Sequence, residues 1–147
     1  MRILKNERGQ ALLEMAVTLP LLLLVSVSIF EFGRAYQTWQ VLTNAAREGA
    51  RLAVLPNSTI TEVKARVTAY MTNGALPSTN ISNATISVDP KTIDLGGGKT
   101  ANASLVTVNY PFQFMVLGPV AKLVNQSGTL GSDITMISSA EMRNEAQ

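Results

Sequence analysis

The sequence predicts an α+β protein in which a long N-terminal helix, membrane-spanning over its first part, continues into an exported domain with one extra helix and a small antiparallel β-sheet. Three observations predict it. Ala11 to Phe30 forms an apolar run with a single charge, Glu14, behind a leader that holds Arg2, Lys5 and Arg8. No proline and no turn cluster interrupts the chain from Phe30 to Leu55. After Pro56 the composition shifts to Ser, Thr, Asn and Gly, with apolar residues alternating in short stretches that read as strands. The 147 residues leave room for one compact domain beside such a helix and for little else.

Ala11 to Phe30 is twenty residues. At about 1.5 Å of rise per residue they cover roughly 30 Å, the thickness of a bilayer's hydrocarbon core. By the positive-inside rule the basic leader stays in the cytoplasm and the C-terminal part is exported. The expected division is a leader over 1–9, the transmembrane part of the long helix over 10–30 and an exported domain over 31–147. A cleaved secretory signal also begins basic and turns apolar, but its apolar core is shorter and ends in a small-x-small site. Here Glu31-Phe32-Gly33-Arg34 follows a run of full membrane length, so a retained anchor is the better reading.

Glu14 needs a reason to sit in an apolar helix, where a carboxylate costs on the order of 3 kcal/mol on insertion scales and less near the interface. One reading places it at the cytoplasmic boundary, reaching water. Another starts from cleavage after Gly9, which frees an α-amino group on Gln10 one helical turn from Glu14. The two charges then pair within a chain or across to an axially shifted neighbour. At about 4 Å and an effective dielectric near 20, that attraction is roughly 4 kcal/mol before desolvation is subtracted.

Gly9-Gln10 followed by Glu14 resembles the processing site of type IV pilin-like precursors, in which a prepilin peptidase cuts after the glycine and the fifth mature residue is glutamate. Leu19-Pro20-Leu21-Leu22-Leu23-Leu24, then Phe30-Glu31-Phe32-Gly33-Arg34-Ala35, then Leu42-Thr43-Asn44-Ala45-Ala46-Arg47-Glu48-Gly49-Ala50-Arg51 resemble the TadE-like proteins, pseudopilins of tight-adherence (Flp-type) pilus systems. The resemblance covers residues 9 to about 55. Met15 departs from the tyrosine that follows the glutamate in the major Flp pilins, which weighs against the major short pilin. The resemblance implies a pilin-like domain, a bacterial inner-membrane location before assembly, and no cofactor. It implies as partners the lipid bilayer, a prepilin peptidase, other pilin-like subunits and the inner-membrane pilus assembly machinery.

The membrane helix is expected to run on to Leu55 as one rod. Pro20 removes a backbone hydrogen bond inside it and should kink or loosen it. Ala46, Gly49, Ala50 and Ala53 recur at i, i+3, i+4 and i+7, a small-residue stripe that lets another backbone approach closely. The sheet of the same chain is the expected neighbour, and a helix of another subunit is the alternative. Arg47, Glu48 and Arg51 are expected to make surface contacts along the helix. Tyr36 and Trp39 suit either the outer membrane interface or the core.

Pro56-Asn57-Ser58 ends the rod. Thr59-Ile60-Thr61-Glu62 reads as a capping box, opening a helix over about 60–72 with Ile60, Val63, Val67, Tyr70 and Met71 at helical spacing and Asn73-Gly74 as its stop. Thr85 to Val88 alternates, as does Leu105 to Tyr110 with Val106, Val108 and Tyr110 on one face, and Ile134, Met136 and Ser138 to Met142 give a weaker third pattern. Pro90 and Pro111 are expected to bound the first two strands. Gly96-Gly97-Gly98 reads as a loop between strands, without phosphate-loop spacing. Phe112, Phe114, Met115, Val116 and Leu117 form an apolar patch suited to the core or to a short segment capping the sheet. Asn-x-Ser/Thr triplets at Asn57, Asn80, Asn83, Asn102 and Asn125 read as polar surface.

Composition excludes several functions. Without histidine there is no imidazole base or metal ligand, and without cysteine no thiolate nucleophile, disulfide or thiolate site. The carboxylates show no calcium-loop spacing, so neither catalysis nor a metal site is expected. The formal charge of +2 belongs to the leader: without residues 1–9, which hold Arg2, Lys5 and Arg8 against Glu7, nine basic side chains face nine acidic ones. No later basic cluster with interleaved aromatics exists, so no nucleic-acid partner is expected. Two functions remain: a minor pilin that supports pilus assembly, or a signal-anchored bitopic protein whose exported domain binds a partner or mediates adhesion. A principal subunit of its own filament is a variant of the first.

Overall fold

The structure, a computed structural model, describes residues 7–124 and 131–144. Residues 1–6 of the expected leader and the Asn125 triplet lie outside them. The element order is α1 (Glu7–Ala53), α2 (Ile60–Asn73), α3 (Ser78–Ser82), β1 (Thr85–Gly96), β2 (Lys99–Phe112), α4 (Leu117–Val124) and β3 (Ile134–Arg143). This is the expected α+β arrangement, with α3 and α4 as additions. Contacts divide the chain into two units, Met1–Arg34 with Phe114–Gly131 and Ala35–Gln113 with Ser132–Gln147, and α1 contributes to both.

Helix α1 has 47 residues, about 70 Å of rise. It continues through Pro20. The neighbouring hydroxyls bond back along the helix: Thr18 Oγ1 donates to the Glu14 carbonyl at 2.7 Å, Ser26 Oγ to Leu22 at 2.9 Å and Ser28 Oγ to Leu24 at 2.7 Å. Such back-bonding satisfies the polar side chains without water.

The second unit has its core where small residues of α1 meet larger apolar side chains of α2 and β2. Leu42, Ala45, Ala46 and Ala50 of α1, Val63, Val67 and Met71 of α2, and Val106, Val108, Tyr110 and Phe112 of β2 are all buried. Helix α2 begins at the expected capping box. Thr59 Oγ1 accepts from the Glu62 amide at 3.2 Å, and the Glu62 carboxylate accepts from the Thr59 amide at 2.8 Å. Of its expected apolar face, Val63, Val67 and Met71 turn inward while Ile60 and Tyr70 remain exposed. The stop at Gly74 has a reason other than backbone freedom. Gly74 has an ordinary φ of −76°, and the left-handed residue is Ala75 at 57°. A Cβ on Gly74 would lie 2.5 Å from Val41 Cγ1 of α1, so the glycine is there for space.

The sheet is antiparallel with order β1-β2-β3. Its strands are longer than the alternation predicts, because both prolines expected to bound them lie inside. Pro90 pairs with Ser104 within β1, an edge strand, where a missing N–H is tolerated. Pro111 lies in central β2, but beyond the Thr85↔Asn109 pair where β1 stops, opposite Thr135 of β3. Its carbonyl instead accepts from Asn80 Nδ2 of α3 at 2.9 Å. Gly96, Gly97 and Gly98 all take positive φ, which is what the β1–β2 turn requires of them. On β3 the inward face holds Met136, Ser138, Ala140 and Met142, with Ser138 Oγ 3.3 Å from Thr43 Oγ1 of α1, whereas Ile134 is exposed.

Candidate processing and assembly site

Residues of the first unit carry the candidate site. Gly9 and Gln10 lie within α1, so the bond between them is helical. Gln10 Nε2 donates to Glu14 Oε1 at 3.2 Å across one turn, and both side chains are exposed. The carboxylate therefore already faces residue 10. From Gly9 onward α1 contains a window of mean hydropathy 2.2 whose side chains are not buried by the rest of the protein. Leu12, Leu13, Val17 and Leu21 are among those left bare. The helix is long and apolar enough to cross a membrane.

At the end of the apolar run lies a charged centre that the sequence reading did not single out. Glu31 has no exposed surface. Its Oε1 accepts from the Val116 amide at 2.9 Å, and its Oε2 accepts from the Met115 amide at 3.1 Å and from Arg34 Nη2 at 3.3 Å. Phe32 meets Phe114 edge-on, 5.9 Å between ring centroids. Glu31 thus takes up the N–H groups of the two residues that lead into α4, ahead of any helical carbonyl that could receive them. Beyond this anchor point Val116, Leu117 and Val120 lie along Pro20, Leu23, Leu24 and Val27, enclosing an apolar groove of about 140 Å³. The signal available in sequence was a carboxylate between two phenylalanines, Phe30 and Phe32, just after a membrane-length run.

The small-residue stripe lies in the second unit. Ala46 and Ala50 are buried, Ala53 is half-buried, and a Cβ on Gly49 would meet Val67 at 2.5 Å and Val106 at 3.2 Å. Its neighbours are therefore α2 and β2 of the same chain. Glu48 takes a partner across elements rather than along α1: Arg66 of α2 donates to it through Nε at 3.1 Å and Nη2 at 2.6 Å. Tyr36 and Trp39 are exposed rather than in the core, their rings 6.1 Å apart. Among the described residues no cluster of carboxylates is placed to hold a metal ion.

The class defined is an α+β protein whose N-terminal helix is apolar over a membrane's thickness and carries one carboxylate near its start. Residues 9–51 match the family model described as TadE-like protein, the family that the motifs from Gly9 to Arg51 resemble. No curated protein and no solved structure matches the chain significantly.

Proposed function

We propose that this chain is a minor pilin, a pseudopilin that supports assembly of a tight-adherence pilus after a prepilin peptidase removes its leader at the Gly9–Gln10 bond. The observation that carries the proposal is the joint occurrence of three features on one helix. Gly9 precedes Gln10, Glu14 lies one turn further and faces residue 10, and an unburied apolar run follows. The match of residues 9–51 to the TadE-like model supports the same reading.

In this proposal the uncut protein sits in the bacterial inner membrane with its N-terminus cytoplasmic and its domain exported. Cleavage frees the Gln10 amine. That amine pairs with Glu14, in the same chain or in a neighbour offset along the helix axis, and sets the axial register in which apolar segments stack. The protein works by binding, to the bilayer, to the peptidase and then to other pilin-like subunits and the assembly machinery. No chemical step is assigned to it.

The test is co-expression of the full chain with a prepilin peptidase, reading the mature N-terminus by mass spectrometry. The wild type should begin at Gln10 and Gly9→Ala should keep Met1. Glu14→Ala should enter the membrane yet be depleted severalfold from assembled filaments. An intact Met1 in assembled wild-type protein would refute the processing step, and normal assembly of Glu14→Ala would remove the register role.

A further inference from the structure

We infer that α4 is a second membrane-contacting element, lying in the leaflet on the exported side beside the helix that anchors the chain. The inference rests on the anchor reading proposed above. Within the first unit, Val116, Leu117 and Val120 line one groove with Pro20, Leu23, Leu24 and Val27. Leu23, Leu24 and Val27 belong to the second half of the Ala11–Phe30 run, and Pro20 lies at its middle. A bilayer that surrounds the run at that depth surrounds whatever is packed against it.

The chemistry of α4 suits that position. Met115 and Leu123 are 65% and 76% exposed, and Val116 and Val120 keep part of their surface bare beside the groove, so α4 and the residues leading into it present apolar surface next to that of α1. The backbone is prepared for an apolar medium as well. The Met115 and Val116 amides donate to buried Glu31, the Val120 amide donates to the Val116 carbonyl at 3.1 Å, and Pro119 in the first turn has no N–H to satisfy. Between Phe112 and Val124 the single charge is Lys122, whose four-carbon stem can carry its ammonium toward the headgroups. Glu31, with Arg34, fixes the point at which the segment leaves the aqueous side.

The natural absence of cysteine makes the test direct. Single cysteines replace Leu123 in α4, Val17 in the anchor and Lys64 on exposed α2 of the full chain, each labelled with an environment-sensitive fluorophore. The chain is reconstituted in phosphatidylethanolamine–phosphatidylglycerol vesicles and quenched with nitroxide lipids or aqueous iodide. The label at 123 should lose at least half its emission to lipid nitroxides and be quenched severalfold less by iodide than the label at 64. If 17 is quenched by lipid but 123 behaves as 64 does, the inference is overturned while the anchor stands. If neither 17 nor 123 meets lipid, the anchor reading falls and takes the inference with it. If 123 is shielded from both quenchers and crosslinks to a second copy, a protein neighbour covers α4 and the inference is overturned.

Discussion

Glu31 in the first unit and Gly49 in the second show what a single position contributes inside each. Replacing Glu31 by Ala leaves the Met115 and Val116 amides and the Arg34 guanidinium without the carboxylate that receives them. Hydrogen bonds to a charged group contribute about 1.5–3 kcal/mol each, so losing the two amide bonds alone should cost about 3–6 kcal/mol of local stability. The measurement is amide hydrogen exchange at Met115 and Val116 in micelles, expected to accelerate at least tenfold in Glu31→Ala and less in Glu31→Gln, which keeps an acceptor oxygen. At Gly49 two effects oppose each other. Alanine gains about 1 kcal/mol of helix propensity, but its Cβ would lie 2.5 Å from Cγ2 of Val67, a β-branched side chain that cannot swing aside inside α2. Overpacking of this kind costs about 1–3 kcal/mol, so Gly49→Ala should lower the midpoint of thermal unfolding. Gly33→Ala, with nothing within 4 Å of the new carbon, should leave it unchanged or raise it. Equal behaviour of the two variants would show that propensity alone decides.

Among the elements, α2 carries a pH dependence at its start. The Thr59 amide and hydroxyl, donating to the Glu62 carboxylate, hold its pKa below the ordinary value near 4.5, against a small upward push from burial. A depressed carboxyl contributes stability that is present above its unfolded pKa and lost as pH falls through the lower folded one. Exchange protection in the first turn of α2 should therefore persist at neutral pH and decline below about pH 4.5, and Glu62→Ala should abolish that decline. This helix was legible in sequence because its signals are local: Thr59 and Glu62 are three residues apart, and Val63, Val67 and Met71 repeat with the helical period. Likewise Val106, Val108 and Tyr110 revealed the inward face of β2 by alternation. Strand ends were harder, since Pro90 and Pro111 break strands only where a paired N–H is required, and edge position is a tertiary property. The apolar patch read from Phe112 to Leu117 reaches only the first residue of α4, and the helix itself was not foreseen. Its eight residues show less than three turns of period, and the carboxylate that receives the two amides leading into it lies 84 and 85 residues earlier in the chain.

For the whole molecule, the proposed cut changes the charge balance as well as the length. Removing the leader leaves nine positive and nine negative side chains, so the mature protein has no net formal charge while the precursor carries +2. A basic end that holds the precursor to the anionic cytoplasmic face would thereby be lost at the moment the subunit becomes free to move along its axis. The place of the bond adds a further consequence. Among the described residues α1 runs from Glu7 onward, so the Gly9–Gln10 peptide is helical. If a peptidase requires an extended strand in its cleft, it cannot act on the coiled form and must wait for, or induce, local fraying around the bond. Glycine at position 9 makes that fraying easier by about 1 kcal/mol relative to alanine, roughly a fivefold gain in the uncoiled population. Ala11→Gly, which leaves both residues of the bond in place, should raise the initial rate of leader removal severalfold in a time course with purified peptidase. An unchanged rate would show that uncoiling does not limit the cut. On this view Gly9 has two roles, as the residue before the cut and as the weak coil that lets the substrate open, and the helical segment around the bond works as a latch whose strength sets how fast precursors enter the assembly pool.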